Sequence, residues 1–115
     1  MELEIGIEIL DPELESDLFE STESREKIIT EGVSIRFKNY KIREIVDYPT
    51  IINIAVYIAE HIALPVAAGV LSRYLYDKLK DRENQKITIN NIPVEVNAEK
   101  IENLIIQILR EEREE

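Results

Sequence analysis

The sequence predicts an α+β fold, with a mostly antiparallel sheet of about four strands packed on one long apolar helix and a C-terminal helix. Three observations support this prediction. Residues 2–10 alternate between apolar and polar side chains, residues 51–75 are almost entirely apolar, and residues 86–96 have the pattern of a two-stranded hairpin. The resulting order β-α-β-α-β-β-α places strands before and after the long helix, which is typical of an α+β fold. The length of 115 residues predicts a single domain, 1–115.

Composition argues against several classes of function. The formal net charge is −10, whereas proteins that bind nucleic acid or anionic membranes nonspecifically carry a basic footprint. The absence of cysteine excludes disulfides, thiol catalysis and thiolate metal sites. The first ten residues carry three glutamates and no basic residue, unlike a signal peptide. We therefore expect an intracellular, cytoplasmic protein.

Strict alternation predicts the first strand. Its apolar side chains are those of Leu3, Ile5, Ile7 and Ile9, and its outward positions are Glu2, Glu4, Gly6 and Glu8. A helix is then predicted to begin at Asp11, which can cap it, with Pro12 in the first turn. Carboxylates at positions 13, 15, 17 and 20 fit a solvated acidic face, because the segment lacks the ligand spacing of a calcium-binding loop.

A second strand is predicted over residues 33–38, where apolar and polar side chains alternate again. Arg36 and Lys38 face outward there, and opposite charges on adjacent strands are mildly favourable. We therefore expect this strand to be the neighbour of the first, which carries outward glutamates. Residues 25–31 are ambiguous, and residues 39–49 are predicted to form a connection.

Residues 50–76 are predicted to form the long helix. At 100° per residue, its polar side chains share one arc of about 100°. This candidate polar stripe consists of Asn53, Tyr57, Glu60 and His61. The remaining arc is apolar and wider than the stripe of an ordinary surface helix, so the helix needs at least two neighbours. Pro65 removes one helical hydrogen bond, and we expect a kink or break near Leu64–Pro65.

One side of this helix repeats alanine every four positions, beside a row of branched residues, and such a surface lets a second backbone approach closely. The candidate oligomer interface consists of Ala55, Ile58, Ala59, Ile62, Ala63, Val66 and Ala67. A buried core helix and a membrane span are the alternatives. Ten Ile, Leu and Val residues between positions 51 and 71 contribute roughly −3 to −6 kcal/mol to membrane insertion. Glu60 and its polar neighbours offset most of this, which favours a soluble helix.

The hairpin over residues 86–96 is predicted to turn at Asn90-Asn91, since asparagine tolerates positive φ. That turn places Ile89 opposite Ile92, and Ile87 opposite Val94, so the apolar residues share one face. Pro93 then lies opposite Thr88 with its missing N–H directed away from the partner, which predicts an edge strand. Asn97 is predicted to cap a last helix whose apolar stripe is formed by Ile101, Leu104, Ile105, Ile108 and Leu109.

The sequence offers few groups for catalysis. His61 is the only histidine, and it follows Glu60 directly, so on a helix the two side chains diverge by about 100° and form no dyad. A single histidine without cysteine argues against a zinc site. The polar stripe is therefore interpreted as structural, with a protonation switch at an interface as the functional alternative. We predict no catalytic, cofactor-binding or metal-binding residue, no cofactor and no enzyme.

With all elements assigned, their order resembles the effector-associated constant component family of prokaryotic conflict systems. The similar features are the helix start Asp11–Leu14, a long apolar helix ending in basic residues over Ile51–Lys80, the hairpin Lys86–Val96 and the closing helix Ala98–Leu109. The hairpin of that family commonly turns on Asp-Gly, and its long helix is richer in glycine. The resemblance implies an accessory or coupling component that contacts an effector or sensor partner, with no catalytic residues to carry over.

We therefore expect a non-enzymatic interaction or accessory module that self-associates through the helix over residues 50–76. A homo-oligomer and a further protein partner are expected, and nucleic acid is not. Two alternatives stay open: a membrane-associated small protein that uses the same helix, and a small-ligand binder with a cleft lined by Tyr57, Glu60 and His61.

Overall fold

A computed structural model describes residues 1–9, 14–20, 25–41, 50–81 and 86–113 of the chain. Its elements follow in the order β1 (Glu2–Ile9), α1 (Leu14–Leu18), β2 (Glu26–Thr30), β3 (Val33–Lys41), β4 (Thr50–Ile58), α2 (Leu64–Leu79), β5 (Lys86–Ile89), β6 (Ile92–Val94) and α3 (Ala98–Arg113). The predicted start of the first helix at Asp11 and Pro12 lies outside the described residues.

The strands form one sheet in the order β2-β3-β4-β1-β5-β6, and every neighbouring pair is antiparallel. The predicted α+β class with an antiparallel sheet is therefore confirmed. The sheet has six strands, not about four. The two additional strands are β2, which lies in the ambiguous segment, and β4, which lies in the predicted long helix.

The helix predicted over residues 50–76 is wrong in its first half, because Thr50–Ile58 forms strand β4 in the interior of the sheet. Four branched residues, Ile52, Ile54, Val56 and Ile58, alternate onto the core face of β4 and are fully buried. Branched side chains fit a pleated, packed surface better than the turns of a helix. A turn over residues 59–63 follows, and α2 begins at Leu64 with Pro65 in its first turn. The break expected near Leu64–Pro65 is thus where the helix starts.

The core lies between one face of the sheet and the three helices. Paired residues such as Ile5 and Ile54, Ile5 and Ile89, and Ile35 and Val56 are all buried, so the strands bury the same face. The helices contribute Leu14, Leu18, Ala67, Ala68, Leu71, Leu75, Leu79, Ile101, Ile105 and Leu109, with Phe19 beside α1. Among the described residues, no helix is both long and apolar enough to cross a membrane.

The expectation that β1 and β3 are neighbours is wrong, because β4 lies between them. Glu4 and Lys38, two of the charged residues on which this expectation was based, nevertheless contact each other across β4. The Lys38 ammonium lies 3.1 Å from the Glu4 carboxylate, and both side chains are half exposed. Ala55 of β4 pairs with Glu4, and its small side chain leaves room for this contact. Charge complementarity on a sheet therefore does not by itself identify adjacent strands.

The predicted hairpin of β5 and β6 is confirmed. Asn90 and Asn91 have φ values of 48° and 68°, and Pro93 lies opposite Thr88 on a strand that ends the described sheet. The Asn90 side chain accepts a hydrogen bond from the Glu4 N–H at 2.8 Å, and the Asn90 N–H donates to the Glu4 carbonyl at 2.7 Å. The turn is thereby anchored to β1.

The cap predicted for the last helix is confirmed. The Asn97 side chain accepts a hydrogen bond from the backbone N–H of Lys100 at 3.0 Å. This bond satisfies one of the N–H groups that a helix start leaves without an intrahelical partner. The helix continues to Arg113, further than its apolar stripe predicts.

The turn between β2 and β3 depends on Gly32, which has a φ of +81°. A Cβ atom at this position would lie 2.8 Å from the Cγ1 atom of Ile62. The Gly32 carbonyl accepts a hydrogen bond of 2.8 Å from the N–H of Ala59. This turn therefore packs directly against the segment that joins β4 to α2, which fixes one end of β2.

Candidate interaction surfaces

The helices cover one face of the sheet, and the side chains on the other face can be arranged in rows from the strand register. We call this second face the open face. One row contains Ile28, Ser34, Tyr57 and Glu2, the next contains Glu26, Arg36, Ala55 and Glu4, and a third contains Asn39, Asn53, Gly6, Thr88 and Pro93. Charged and apolar side chains alternate irregularly along these rows, so the open face is chemically mixed.

The middle of the open face is occupied by small and amide side chains. The Asn53 amide donates a hydrogen bond of 2.8 Å to the Asn39 side chain. A Cβ atom on Gly6 would lie 2.9 Å from the Thr88 hydroxyl, so only glycine leaves room for that side chain. Beside it lies a groove of about 540 Å³, lined by Gly6, Glu8, Ile51, Lys86, Ile87, Thr88, Pro93, Val94 and Glu95.

A second groove, of about 380 Å³, lies at the β2 end of the open face. Ile28 and Tyr57 flank it, with exposed fractions of 73% and 52%, and Ser34 lies between them in the same row. Among the described residues, Ile28 is the most exposed of the large hydrophobic side chains. We call this groove, together with the outer edge of β2, the β2 corner.

The hydrogen bonding of β2 determines which backbone groups point outward. The Phe37 N–H donates to the Arg25 carbonyl at 2.9 Å, so these opposite residues form a hydrogen-bonded pair. Hydrogen-bonded and non-hydrogen-bonded pairs alternate along an antiparallel ladder. Lys27 therefore bonds to β3, whereas the N–H and C=O groups of Glu26 and Ile28 point away from it. Within the described sheet, these groups form its outer edge.

Charges of both signs surround the β2 corner, in contrast to the net charge of the chain. The Lys27 ammonium lies 2.7 Å from the Glu20 carboxylate, which also lies 3.9 Å from the Lys78 ammonium. The hydrogen bond and charge of Lys27 lower the pKa of Glu20, and Lys78 adds to the effect. The Arg25 guanidinium lies 4.7 Å from the centre of the Phe37 ring.

A half-buried tyrosine, Tyr74, connects this cluster to α2. The Tyr74 hydroxyl donates a hydrogen bond to the Leu18 carbonyl at the end of α1. Burial, and to a lesser extent the negative charge of Glu20, raise the pKa of Tyr74 to about 12. The Lys78 ammonium lies 5.4 Å from the centre of the Tyr74 ring. The arrangement holds α1, α2 and β2 together and is structural.

A third groove, of about 480 Å³, lies on the helix side of the molecule. It is lined by Pro65, Val66, Gly69, Val70, Ser72, Arg73, Ala98 and Glu102. Val66 is 57% exposed there. This makes Val66 the natural point of comparison for Ile28, since both are exposed branched side chains on different sides of the molecule.

The structure does not bring the candidate oligomer interface together. Ala55 lies on the open face of β4, Ile58 and Ala67 are buried in the core, and Val66 is exposed on α2. The remaining members, Ala59, Ile62 and Ala63, lie in the turn between β4 and α2. A strand, a turn and a helix have different periods, so the four-residue repeat of alanines does not produce one face.

The candidate polar stripe is also divided. Asn53 and Tyr57 both lie on the open face of β4, because residues four apart in a strand share a face. Glu60 and His61 are exposed in the following turn. Within the residues that the structure describes, no group of three or more His, Cys, Asp or Glu side chains is placed to hold a metal ion. Of the predicted acidic face, position 13 and the side chain of position 15 lie outside the described residues.

No protein-family model, no curated protein and no solved structure matches this chain. The structural assignment of a candidate site therefore rests on the geometry of the chain itself. The β2 corner was missed from the sequence, although a signal exists. Residues 26–30 read EKIIT and are followed by Glu31-Gly32, a branched segment before a turn, as expected for the first strand of a hairpin.

Proposed function

We propose that this chain is a non-enzymatic interaction or accessory module that self-associates through the β2 corner. The observation that carries the proposal is the 73% exposure of Ile28 at the outer edge of the sheet. Removing an isoleucine side chain completely from water contributes roughly 1.5–3 kcal/mol. A contact that shields it in part contributes less, and a symmetric contact counts this contribution in both copies. An apolar residue on an open sheet edge favours pairing with another strand.

The proposal keeps the self-association expected from the sequence but changes its location. The alanine row cannot act as one helical face, since its members occupy β4, the following turn and α2. The accessory role is implied only by the resemblance of the sequence to the effector-associated constant components, whose long apolar helix corresponds here to β4 and α2. In that role, the second copy would use the β2 corner and leave other surfaces to a further protein partner.

The test is the solution mass of detergent-free protein, measured by light scattering on a sizing column and by sedimentation velocity. We expect a dimer whose fraction rises with concentration from about 10 µM to about 1 mM, the range in which a small interface associates. Ile28→Thr keeps a branched, strand-compatible residue and removes the apolar contact. We expect it to weaken the dimer at least about tenfold.

Val66→Thr is the matched control, because it makes the same chemical change at an exposed residue of α2. It should leave the dimer unchanged. A dimer that is sensitive to Val66→Thr and insensitive to Ile28→Thr would move the interface to the helix side. Wild-type protein that stays monomeric throughout the concentration range would contradict self-association altogether.

A further inference from the structure

We infer that two copies of this chain join their β2 strands antiparallel, with Ile28 on the two-fold axis, to make one continuous twelve-stranded sheet. The inference rests on the proposed self-association and specifies its partner, register and symmetry. Each copy contributes its own six strands, with β2 at the junction. Because the axis is perpendicular to the sheet, the helices of both copies lie on one side and both open faces on the other.

The direction of the backbone groups permits this pairing. Glu26 and Ile28 direct their N–H and C=O groups away from β3, as the hydrogen bond between Phe37 and Arg25 requires. An axis at Ile28 places this residue opposite its own copy. The two residues then exchange both N–H···O=C bonds and form a hydrogen-bonded pair. Ile28 occupies a non-hydrogen-bonded position of the β2–β3 ladder, so this exchange breaks no hydrogen bond between Ile28 and β3.

The charges along β2 select this register from its neighbours. With Ile28 on the axis, Glu26 lies opposite Thr30 and Lys27 lies opposite Ile29, so no like charges face each other. An axis at Lys27 would oppose two ammonium groups, and an axis at Glu26 would oppose two carboxylates. Like charges directly opposite are destabilising. An axis at Ile29 would centre the pairing on the irregularity of the β2–β3 ladder between Ile28 and Thr30, whereas an axis at Ile28 leaves this irregularity to either side of the central pair.

The side chains at the axis complete the contact. Ile28 lies on the open face, opposite Ser34, so the two copies of Ile28 meet side by side on that face. Cα atoms of a hydrogen-bonded antiparallel pair lie about 5.5 Å apart, close enough for the side chains to shield each other from water. The net charge of −10 per copy opposes association, but charges of the two copies that lie further apart than the Debye length, about 8 Å at physiological ionic strength, are largely screened.

The absence of cysteine makes a direct test possible, because a single introduced thiol is unique in each copy. Ile28→Cys places two thiols at a Cα separation of about 5.5 Å, within the range of 4.4–6.8 Å that a disulfide spans. Under mild oxidation we expect covalent dimer at least about ten times more abundant than for Ile92→Cys. Ile92 is the matched control, because it is 45% exposed on β6, at the opposite edge of the sheet.

A second measurement uses the unmodified protein. In the dimer, the amide of Ile28 is bonded across the axis and should exchange slowly with solvent, whereas in dilute monomer it should exchange rapidly. The amide of Lys27 bonds to β3 in both states and serves as the internal reference. Residue-resolved hydrogen exchange by NMR, at concentrations where light scattering reports mainly dimer and mainly monomer, gives both rates.

The strand pairing and the self-association can be contradicted separately. If the protein is dimeric but the Ile28 amide is unprotected and Ile28→Cys does not crosslink, the strand pairing is wrong and the proposed self-association stands. If the protein is monomeric at every concentration, both are wrong. Protection of the Ile28 amide only after addition of another protein would show that the edge takes a foreign strand, and would overturn the second copy as its occupant.

Discussion

Both edges of the described sheet are strands of short hairpins, but only the β6 edge has a proline at an outward-pointing position. At β6, Pro93 occupies the outward-pointing position opposite Thr88, so the donor that an incoming strand would need is missing. At β2, Glu26 and Ile28 occupy the outward-pointing positions and keep their N–H groups. β6 has three residues and β2 has five. Natural sheets commonly protect their edges with proline, charge or a bulge. β2 carries Glu26, Lys27 and an irregular pairing with β3, but among its described residues no proline removes an outward N–H, and Ile28 is 73% exposed there. This difference favours β2 as the edge that takes a partner strand.

We expect the largest effect from placing a proline at an outward-pointing position of β2, as Pro93 is placed on β6. Ile28→Pro removes the outward N–H and the apolar side chain, but no hydrogen bond to β3. The change removes two hydrogen bonds of about 1 kcal/mol each and the partial shielding of two isoleucines, each of which would contribute roughly 1.5–3 kcal/mol if it were fully buried. We therefore expect no dimer by light scattering at about 1 mM, with the monomer still folded by circular dichroism.

Two comparisons sharpen this result. Lys27→Pro should unfold or strongly destabilise the monomer, because Lys27 bonds inward to β3.

Conversely, Pro93→Val restores an outward N–H at the β6 edge, and we expect higher oligomers than the dimer in sedimentation velocity. A Pro93→Val variant that behaves as the wild type would mean that proline is not what blocks β6.

The turns that end the two edge hairpins give the next largest effect. Gly32 has a φ of +81°, and an added Cβ atom would approach Ile62 to 2.8 Å. We expect Gly32→Ala to lower the free energy of unfolding by about 1–3 kcal/mol, from the left-handed backbone and this contact together. Urea denaturation in the Ile28→Thr background measures the monomer alone.

Asn91→Gly is the matched change in the other turn, where φ is already 68°. Glycine adopts this conformation without strain, so the free energy of unfolding should stay within about 1 kcal/mol of the parent. Equal losses from both substitutions would show that the Gly32 turn is not packed against Ile62. The comparison therefore tests whether β2 is held at its end by the turn after β4.

The sequence predicts an element well where one face is apolar and the other polar. β1 meets this condition, because its glutamates lie on the open face while Ile5 and Ile7 are buried on the other. α3 also meets it, and its start is marked by the cap at Asn97. β4 does not, because Ile51 and Ala55 on its open face are also apolar and conceal the period of two. A continuous apolar run of this kind can be assigned to a strand or to a helix from the sequence. Pairing with β1 and β3 makes this segment a strand, and that pairing cannot be read from the sequence.

The β2 corner could be predicted only in part. The branched residues of the EKIIT segment and Gly32 indicate a strand before a turn. Ile28 and Ile29 are nevertheless adjacent and chemically identical, and nothing in the sequence says which of them points to solvent. The register with β3 decides this, by placing Ile28 opposite Ser34 and Lys27 opposite buried Ile35. The exposure of Ile28, the most exposed of the large hydrophobic side chains in the described residues, is therefore a property of the tertiary structure.

The smallest expected effect concerns Tyr74, whose hydrogen bond to the Leu18 carbonyl joins α2 to α1, and it depends on pH. The pKa of Tyr74 is raised in the folded protein from its ordinary value of 10 to about 12, so folding favours the protonated hydroxyl. Below pH 10 this tyrosine is protonated whether the chain is folded or not. Between pH 10 and 12 the unfolded chain loses the proton first, and the free energy of unfolding should fall as pH rises.

Tyr74→Phe should remove this part of the pH dependence and lower the free energy of unfolding by about 1 kcal/mol at neutral pH, because the Leu18 carbonyl loses its donor. Tyr57→Phe is the control, since Tyr57 is exposed on the open face. Its substitution removes an exposed hydroxyl, so we expect the free energy of unfolding at neutral pH to stay within about 0.5 kcal/mol of the parent. If Tyr74→Phe keeps the wild-type slope, another group titrates in that range, and the contact between Tyr74 and α1 does not control the stability of this junction.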